Sequence, residues 1–554
     1  MKKRFMSIAL CLTLAAALTA GARVSAGAAS ESPAAITANI IFSGGGTVIT
    51  GTGAALDGSA VRITSGGIYQ IYGASDAARI VVSADGGSDD VTLVLRGCDL
   101  ASADSETIYF KTARSAALVL ADRTENRIVS GADTGADTPD EDASGAAIRA
   151  KCPLTISGGG ALAVRGHINN GIASSDALTI ESSSLAVTAL NNGLKSGTLL
   201  TVAGGNICVD AAGDGLQADG DLHVTGGDLR VTTGGGANED DMKTGDSAMW
   251  GAMPPPRPSQ EMTAASQEYD SGDSVSQKGL KAENAIVISA GSIALDTADD
   301  AVHAGGSVNV SGGALTIRSG DDGIHSDEAL VIGGGAVAVS LCYEGLEAPS
   351  ILISGGSVDI RAKDDGLNAN GGVWTPPWGI PESGGTESVL RITGGELTVD
   401  SGGDGLDSNG GLYIEGGSVH VSGPSTNGDA ALDSGERSTF LITGGTLAAA
   451  GYSGMMESPS FADGAQLSIY YSGRAYYPDG TAVTLADESG NVLCRYSFAH
   501  SFNCIVISSP LLEAGKTYTL TAGGDAVQLE MTETGYSSRG AGRMGSPGPG
   551  GASA

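Results

Sequence analysis

The chain has 554 residues, of which 87 are glycine and only 4% are aromatic, and its formal net charge at pH 7 is -33. So acidic a surface excludes nucleic acid and anionic lipid as favourable partners and favours cations. The length would allow several globular domains, but the glycine content and the near absence of amphipathic helical patterns indicate one extended repetitive architecture.

The first 26 residues have the features of a secretory signal peptide. In "MKKRFMSIALCLTLAAALTAGARVSAG" three basic residues precede an apolar stretch, and small residues near position 26 form a cleavage site. We therefore expect residues 1–26 to be removed and the mature protein to be secreted, in the extracellular space or associated with the cell surface. No later segment approaches the roughly 18 apolar residues of a membrane span, so no membrane span is expected.

Residues 40–130 are rich in strand patterns but have no regular period. We expect them to form an N-terminal β cap and the first coils of a repetitive fold, since the open end of such a fold must be covered.

Residues 131–464 repeat with a step of 22 residues, once 21. Each unit contains a glycine followed by Leu, Ile or Val, and then two short alternating runs, such as residues 222–224 and 229–231, separated by "GG". Such a unit has no room for a helix and cannot bury its own apolar face, so successive units must stack as parallel strands. Because parallel crossovers are right-handed, the predicted fold is all-β, a right-handed parallel β-helix with about 22 residues per coil. One interior ladder is expected from Ile172, Leu194, Leu216, Leu280, Val302, Ile324, Leu346, Leu367 and Leu406, and another from Val224, Ile288, Val310, Ile332 and Ile353.

Two insertions interrupt the repeat, at residues 234–276 and 373–388. The second contains Trp374 and Trp378 in the sequence "WTPPW", where proline favours an extended backbone. These tryptophans are candidates for stacking on sugar rings, and the alternative is that they pin the loop to the coils.

The end of the chain differs from the repeat. Residues 465–534 alternate as a C-terminal β meander, and residues 535–554 have the composition of a disordered tail. Cys494 and Cys504 are the only cysteines close enough in sequence to suggest a disulfide.

Acidic residues recur at the position before the glycine of each unit and at the position before that one. In stacked coils these positions form columns, in which like charges about 4.8 Å apart repel by roughly 3.5 kcal/mol at an effective dielectric constant of 20. Protonation, a lysine such as Lys278, or a divalent cation must therefore neutralise the columns.

Paired carboxylates beside the backbone carbonyls of a tight turn are the ligands that Ca²⁺ prefers. The alternative is that Asp-Gly and Asn-Gly only form the turn, with their charges solvated. The candidate calcium ligands are Asp214, Asp299, Asp300, Asp321, Asp322, Glu344, Asp364, Asp365 and Asp404.

The motifs "DDGIHSDEALVIGGG", "CYEGLEAPSILISGGSV", "DDGLNANGG", "GDGLDSNGGLYIEGGSVHVSG" and "VTLVLRGCDLASADSETIYFKTA" resemble a secreted carbohydrate-binding family of Gram-positive bacteria, over about residues 44–530. The resemblance implies a calcium-loaded right-handed β-helix, similar to polysaccharide lyase family nine, that binds cellulose and acidic plant polysaccharides such as polygalacturonate, the backbone of pectin. It also places the calcium-binding acids on the Asp-Gly columns. The sequence departs from that pattern at Lys278, Tyr343, Glu344 and Gly403.

The predicted function is calcium-dependent binding of an extracellular polysaccharide, because a bound cation with open coordination can take a uronate carboxylate directly. A lyase is the first alternative and needs a base for the C5 proton. Lys281 and Lys195 are the lysines beside the columns, but acidic neighbours stabilise the charged, non-basic form of lysine. A structural cell-surface rod or adhesin is the second alternative. His303 and His325 fall on adjacent coils, where they are either a transition-metal pair or, more simply, solvated.

Overall fold

The structure is a computed structural model that describes residues 35–131, 145–242, 276–371, 388–424, 428–435 and 438–538. In these ranges the regular secondary structure is β-strand, apart from single 3-10 turns at Asp85–Gly87 and Glu239–Asp241. No helix in the described ranges is long and apolar enough to span a membrane. The chain is therefore all-β with long parallel sheets, as predicted, and this arrangement is compatible with a β-helix. The predicted signal peptide, Trp374 and Trp378 lie outside the described residues.

The chain divides into two compact units, of which the first ends at Ala348 and the second begins at Pro349. The early strands of the first unit are β1 (Ile36–Ser43), β2 (Gly46–Gly51), β3 (Ala54–Asp57), β4 (Ala60–Ile63), β5 (Gly67–Ser75), β6 (Arg79–Ser83), β7 (Asp90–Ser102), β8 (Ile108–Thr112), β9 (Ser115–Leu120), β10 (Glu125–Ser130), β11 (Ala146–Ala150), β12 (Leu154–Ser157) and β13 (Ala161–Gly166).

The first unit begins with antiparallel hairpins and continues with parallel strands. β1 pairs antiparallel with β2, and β3 pairs antiparallel with β4. The later pairings are parallel, such as β1 with β5 and β4 with β6. The long strand β7 pairs with β9 through its first half and with β10 through its second half. The hairpins lie in the segment predicted to cap the repeat, and the capping role itself stays a prediction.

From residue 170 onward, three strands recur in each repeat of the first unit. The strand that contains the ladder residue, the second run and the third run each pair in parallel with the equivalent strand of the next repeat. These strands are β14 (Asn170–Ser174), β15 (Leu178–Ile180), β16 (Ser184–Ala189), β17 (Leu194–Ser196), β18 (Leu200–Val202), β19 (Asn206–Ala211), β20 (Leu216–Ala218), β21 (Leu222–Val224), β22 (Asp228–Thr233), β23 (Leu280–Ala282), β24 (Ile286–Ile288), β25 (Ser292–Thr297), β26 (Val302–Ala304), β27 (Ser307–Val310), β28 (Ala314–Ser319), β29 (Ile324–Ser326), β30 (Ala329–Ile332), β31 (Ala336–Leu341) and β32 (Leu346–Glu347).

The interior of this unit contains the predicted apolar ladder. Its members are fully buried and pair in parallel register, 22 positions apart except where Leu216 pairs with Leu280. Burial of each such side chain stabilises the fold by about 1.5–3 kcal/mol. The pairs follow the order Ile172, Leu194, Leu216, Leu280, Val302, Ile324 and Leu346.

Most ladder residues follow a glycine, with Ala301 before Val302 as an exception, and Gly215 shows how closely neighbouring strands approach this position. A Cβ atom on Gly215 would lie 2.2 Å from Cγ1 of Val231 and 2.6 Å from the carbonyl oxygen of Gly279 in the next coil. Carbon atoms do not approach so closely, so a side chain at residue 215 would have to displace Val231 or the next strand. The repeated glycine therefore has a packing function.

The second unit repeats the parallel pattern and then changes to antiparallel strands. In the register of its parallel strands, Val358 pairs with Leu397, and Leu397 pairs in turn with Val419. Its strands are β33 (Ser350–Ile353), β34 (Ser357–Ala362), β35 (Leu367–Ala369), β36 (Val389–Ile392), β37 (Glu396–Ser401), β38 (Leu406–Ser408), β39 (Gly411–Ile414), β40 (Ser418–Ser422), β41 (Phe440–Ile442), β42 (Thr446–Gly451), β43 (Ser468–Tyr477), β44 (Ala482–Ala486), β45 (Val492–Ser497), β46 (Phe502–Ser508), β47 (Thr517–Ala522), β48 (Asp525–Glu530) and β49 (Tyr536–Ser537).

The C-terminal strands form an antiparallel sheet in the order β45-β44-β47-β48. Its core includes Phe498, Phe502 and Leu520. β46 lies apart from that sheet and pairs antiparallel with β42 and β43. β49, at the start of the segment predicted to be disordered, pairs in parallel with β43. Cys494 is a free thiol and so does not form the suspected disulfide with Cys504.

Candidate functional site

The side chain before each glycine holds the backbone of the next coil. Oδ1 of Asn170 accepts the N–H of Asn192 at 3.1 Å, and Oδ1 of Asn192 accepts the N–H of Asp214 at 2.9 Å. Asp300 accepts the N–H of Asp322 in the same way at 3.1 Å. Asn and Asp present the same oxygen in this position, which explains why they alternate in the column. One oxygen of each aspartate therefore serves the fold, and the second is left for another role.

Lys278 interrupts this column because a lysine side chain cannot accept a hydrogen bond. Its Nζ lies 3.2 Å from Oδ1 of Asp299 and 2.5 Å from Oδ2 of Asp300. Burial acts to lower the pKa of Lys278, but Asp300 and Asp299 outweigh it and raise the pKa well above its usual value. In the first unit, a buried lysine therefore supplies one of the predicted means of neutralising the acidic columns.

The two lysines considered as lyase bases also lie beside carboxylates. Nζ of Lys281 is 3.9 Å from Oδ2 of Asp214 and donates to the hydroxyl of Ser276 at 3.3 Å. Nζ of Lys195 is 3.5 Å from Oδ1 of Asp219. Both amines therefore have an aspartate carboxylate as a near neighbour.

Two histidines of consecutive coils stack on each other, with ring centroids 4.8 Å apart and planes 20° apart. Nδ1 of His303 lies 2.9 Å from Oδ2 of Asp300. Nδ1 of His325 lies 3.1 Å from Oδ2 of Asp322 and 2.8 Å from Oε2 of Glu347. Two members of the acidic column, Asp300 and Asp322, thus each contact the histidine that lies three residues later in the chain.

The charges of this cluster depend on one another. Burial would lower the pKa of His325, but hydrogen bonds to Asp322 and Glu347 raise it to about 11. Burial raises the pKa of Asp322 well above its usual range, and the charges of Asp300 and Glu347 act in the same direction. His325 therefore carries a proton at neutral pH, and its counter-charge is Glu347, whose pKa is lowered by His325 against the opposing effect of burial.

The remaining predicted ligands of the first unit lie close to this cluster. Carboxylate oxygens of Asp299, Asp300 and Asp321 all lie within 4.8 Å of one another. The N–H of Glu344 donates to Oδ1 of Asp322 at 3.3 Å.

The second unit contains an acidic cluster of different character, formed by Asp365, Asp404 and Asp407, whose oxygens lie within 4.8 Å of one another. Oδ1 of Asp365 accepts the N–H of Asp404 at 2.6 Å, and Oδ1 of Asp404 accepts the N–H of Ala430. Across the part of the chain that the structure describes, these three carboxylates form no ion pair with a lysine, arginine or histidine.

Electrostatic repulsion within this second cluster is reflected in its protonation. Burial first, and then the negative charges of its neighbours, raise the pKa of Asp365, Asp404 and Asp407 to about 8 each. The charge of Asp364 contributes to the shift at Asp365. The surrounding acids Asp429, Asp433 and Glu457 also have raised pKa values, caused first by burial. The cluster lacks the counter-charge that the lysine and the histidines supply in the first unit.

Two acids of these clusters, Glu347 and Asp407, were not predicted as ligands. Each lies three residues after a column residue, as His303 and His325 do. This spacing of three residues was the signal available in the sequence. Because the chain turns between the two positions, the second side chain lies close to the first. The tryptophan site predicted at Trp374 and Trp378 lies outside the described residues and stays a prediction.

Comparison with known proteins agrees with the predicted resemblance. The family model described as carbohydrate-binding domain-containing protein matches residues 57–323 and 321–475. A protein of that same description from Acetivibrio thermocellus is 31% identical over 129 residues, which are 23% of this chain and 45% of the relative, so the match spans less than half of that relative. A solved structure described as the polysaccharide lyase-like protein from C. thermocellum, a gadolinium derivative, is 22% identical with a TM-score of 0.37, and the alignment covers 55% of this chain and all of that one. Since the family model covers most of its length, the chain belongs to the family of carbohydrate-binding domain-containing proteins.

Proposed function

We propose that the protein is a secreted, calcium-dependent binder of an acidic or cellulosic extracellular polysaccharide. Family membership supports the carbohydrate ligand. We further propose that the parallel ladders of each unit are coils of a right-handed β-helix with about 22 residues per coil, in agreement with registers such as Leu194 to Leu216.

The observation that carries the calcium assignment is the cluster of Asp365, Asp404 and Asp407. Its donors are all oxygen, it is half-buried, and within the described residues it has no cationic partner. These properties fit Ca²⁺, which prefers carboxylate oxygens in sites of high negative charge. Bound there, calcium would neutralise the repulsion and offer open coordination to a uronate carboxylate. Asp364 is the remaining predicted ligand in this unit.

The predicted ligands of the first unit fit calcium less well. Lys278 already pairs with Asp299 and Asp300, and Lys281 lies beside Asp214. Asp322 faces His325, whose nitrogen ligand suits other metals better than calcium. We therefore propose the second unit as the principal calcium site, while Asp214, Asp299, Asp300, Asp321, Asp322 and Glu344 stay secondary predictions.

A binding protein is favoured over a lyase by the surroundings of Lys281 and Lys195. Each amine lies within 4 Å of an aspartate oxygen, and a lysine base would have to leave that contact to reach a substrate proton. A structural surface rod would share the fold and the cation, but it would lack affinity for glycans.

The proposal is tested by retention of the full-length protein on immobilised polygalacturonate and on cellulose, with Ca²⁺ or with EDTA. We expect calcium-dependent retention on polygalacturonate that EDTA releases. Asp404→Asn should abolish this retention because it removes a ligand charge and keeps the oxygen that holds Ala430. Asp214→Asn is the matched control in the first unit, since its oxygen has the same backbone role.

Three outcomes would contradict the proposal. Retention that survives EDTA but is lost when Trp374 and Trp378 are replaced would assign the glycan-binding site to the tryptophan insertion and not to the acidic cluster. Loss of retention in Asp214→Asn and not in Asp404→Asn would move the calcium to the first unit. Absence of retention on any polysaccharide would favour the structural rod.

A further inference from the structure

The cluster around His325 contains a set of metal-ligating side chains of mixed chemistry, which shares only Asp322 with the predicted calcium ligands and no residue with the principal calcium site. Oδ2 of Asp322, Nδ1 of His325 and Oε2 of Glu347 lie within 4.8 Å of one another. The nitrogen is 3.1 Å from the first oxygen and 2.8 Å from the second. Donors of a tetrahedral zinc site, with bonds of about 2.0–2.2 Å, are separated by roughly 3.3–3.5 Å. A small outward movement of the carboxylates would accommodate an ion.

The fold determines where these three donors lie. His325 belongs to β29 and Glu347 to β32, and the two residues are direct partners in the parallel register. Asp322 precedes β29, and its Oδ1 is held by the N–H of Glu344 at 3.3 Å, so its Oδ2 is turned toward His325. A site whose ligands come from paired strands is positioned more rigidly than one on loops.

The second nitrogen of His325 has the partner expected of a metal ligand. Its Nε2 lies 3.2 Å from Oδ1 of Asp327, a half-exposed residue outside the donor set. Histidine ligands in metalloproteins usually donate their other N–H to a carboxylate or carbonyl, which orients the ring and selects the nitrogen left for the metal. Here that arrangement would leave Nδ1 for the ion, on the side of Asp322 and Glu347.

The neighbouring histidine does not offer an equivalent set. His303 also faces a buried carboxylate, that of Asp300, but this carboxylate lies 2.5 Å from Nζ of Lys278. A metal ion there would be placed beside a fixed positive charge. Asp322 and Glu347 instead face the imidazole of His325, a side chain that can itself ligate a metal ion.

We propose that Asp322, His325 and Glu347 bind one divalent transition-metal ion of the zinc or cobalt type, with a coordination position left open. An imidazole nitrogen with two carboxylates selects such ions over Ca²⁺ and Mg²⁺, which prefer all-oxygen sites. Three protein ligands with an open position are the pattern of sites that bind water or a further ligand at the metal.

The test uses full-length protein without a polyhistidine tag, stripped of metal with EDTA and then titrated with Co²⁺ in the presence of a large excess of Ca²⁺. Visible absorption of ligated Co²⁺ measures site occupancy, and Zn²⁺ should displace the signal. We expect saturation at one equivalent for the wild type and at least tenfold weaker binding in His325→Ala and Glu347→Gln. His223→Ala, in the same unit but outside the cluster, is the matched control and should bind as the wild type does.

Further outcomes decide the assignment. Asp322→Asn keeps the oxygen that holds Glu344, so it tests the ligand role without loss of the backbone contact, and circular dichroism checks that each variant is folded. Unchanged Co²⁺ binding in folded His325→Ala or Glu347→Gln, displacement of Co²⁺ by Ca²⁺, or no binding in the wild type would overturn the proposal. Because the readout is the metal alone, its failure leaves the glycan proposal unaffected.

Discussion

Asp365 accepts the backbone N–H of Asp404 through Oδ1 at 2.6 Å, so the side chain of one coil holds the main chain of the next. In the first unit the same relation joins Asn170 to Asn192, where the acceptor is uncharged. The backbone therefore needs an oxygen in this column and does not need a charge. The negative charge of Asp365 and Asp404 lowers the stability of the fold. Binding of a cation would explain why acidic residues occupy these positions.

Replacing Asp404 separates these two roles. Without calcium and at pH 9, Asp404→Asn should stabilise the protein by on the order of 2–3 kcal/mol, because one like charge leaves a half-buried cluster of carboxylates. Asp404→Ala should be about 1–3 kcal/mol less stable than Asp404→Asn, since it leaves the N–H of Ala430 without its acceptor. Denaturant unfolding in EDTA measures both effects. Equal stabilities of the two variants would mean that the oxygen does not support the backbone.

The raised pKa values of Asp365, Asp404 and Asp407 set the pH dependence of stability. Each titrates at about 8 in the folded protein and near 3.9 when unfolded, so the folded state binds more protons between these values. The free energy of unfolding without calcium should therefore fall as pH rises from about 4 to about 8. Calcium requires the deprotonated form, so the increase in Tm that it causes should grow over the same interval. Thermal melts across this range, with EDTA or with calcium, check both trends, and a calcium effect that shrinks with rising pH would contradict them.

Lys278 should be far more important for stability than an exposed lysine in an ion pair. Lys278→Met leaves the buried Asp300 and its neighbour Asp299 without a counter-charge and should cost about 3–5 kcal/mol. Lys195→Met removes an exposed pair with Asp219 and should cost less than about 1 kcal/mol. Denaturant unfolding of the two variants at neutral pH makes the comparison, and similar losses would show that Asp300 does not depend on the lysine.

Gly215 should not tolerate even one methyl group. Gly215→Ala places a carbon within 2.2 Å of Val231 and within 2.6 Å of Gly279, so we expect a loss of at least about 1–3 kcal/mol, typical of overpacking. Gly44→Ala is the control, because no atom lies within 4 Å of the position that its Cβ would take. A Tm for Gly215→Ala that equals that of Gly44→Ala would show that neighbouring coils can move apart freely.

No lyase product should appear from polygalacturonate and calcium. β-Elimination yields an unsaturated uronate that absorbs ultraviolet light, so the assay is direct. We expect no increase in absorbance, because Lys281 and Lys195 lie beside aspartates. Steady formation of that product, abolished by Lys281→Ala, would make the protein a lyase.

The apolar ladder was predictable because the repeat itself carries it. Ile172, Leu194 and Leu216 follow a glycine at a constant interval, and stacking requires equal intervals to become neighbours. Lys278 was predictable as a neutralising residue because it occupies a column otherwise filled by acids and amides.

The chemistry of the site was less predictable. Spacing identifies which residues share a column but not which oxygen faces the backbone, so the bond from Asn192 to Asn170 could not be foreseen. The contact of His325 with Glu347 depends on how the chain turns at the coil corner. Cys494 and Cys504 are near in sequence, but they lie on β45 and β46, which do not pair with each other.

The pairing of Leu216 with Leu280 has a consequence for how this protein can vary. The two residues are 64 positions apart and still take the register that other pairs reach after 22. Thr233 likewise pairs with Thr297 directly across the same interval. The register of the stacked strands therefore does not depend on the number of residues between β22 and β23. This junction is a natural point for acquiring or exchanging a module, and a foreign domain grafted there should leave the coils on either side in register.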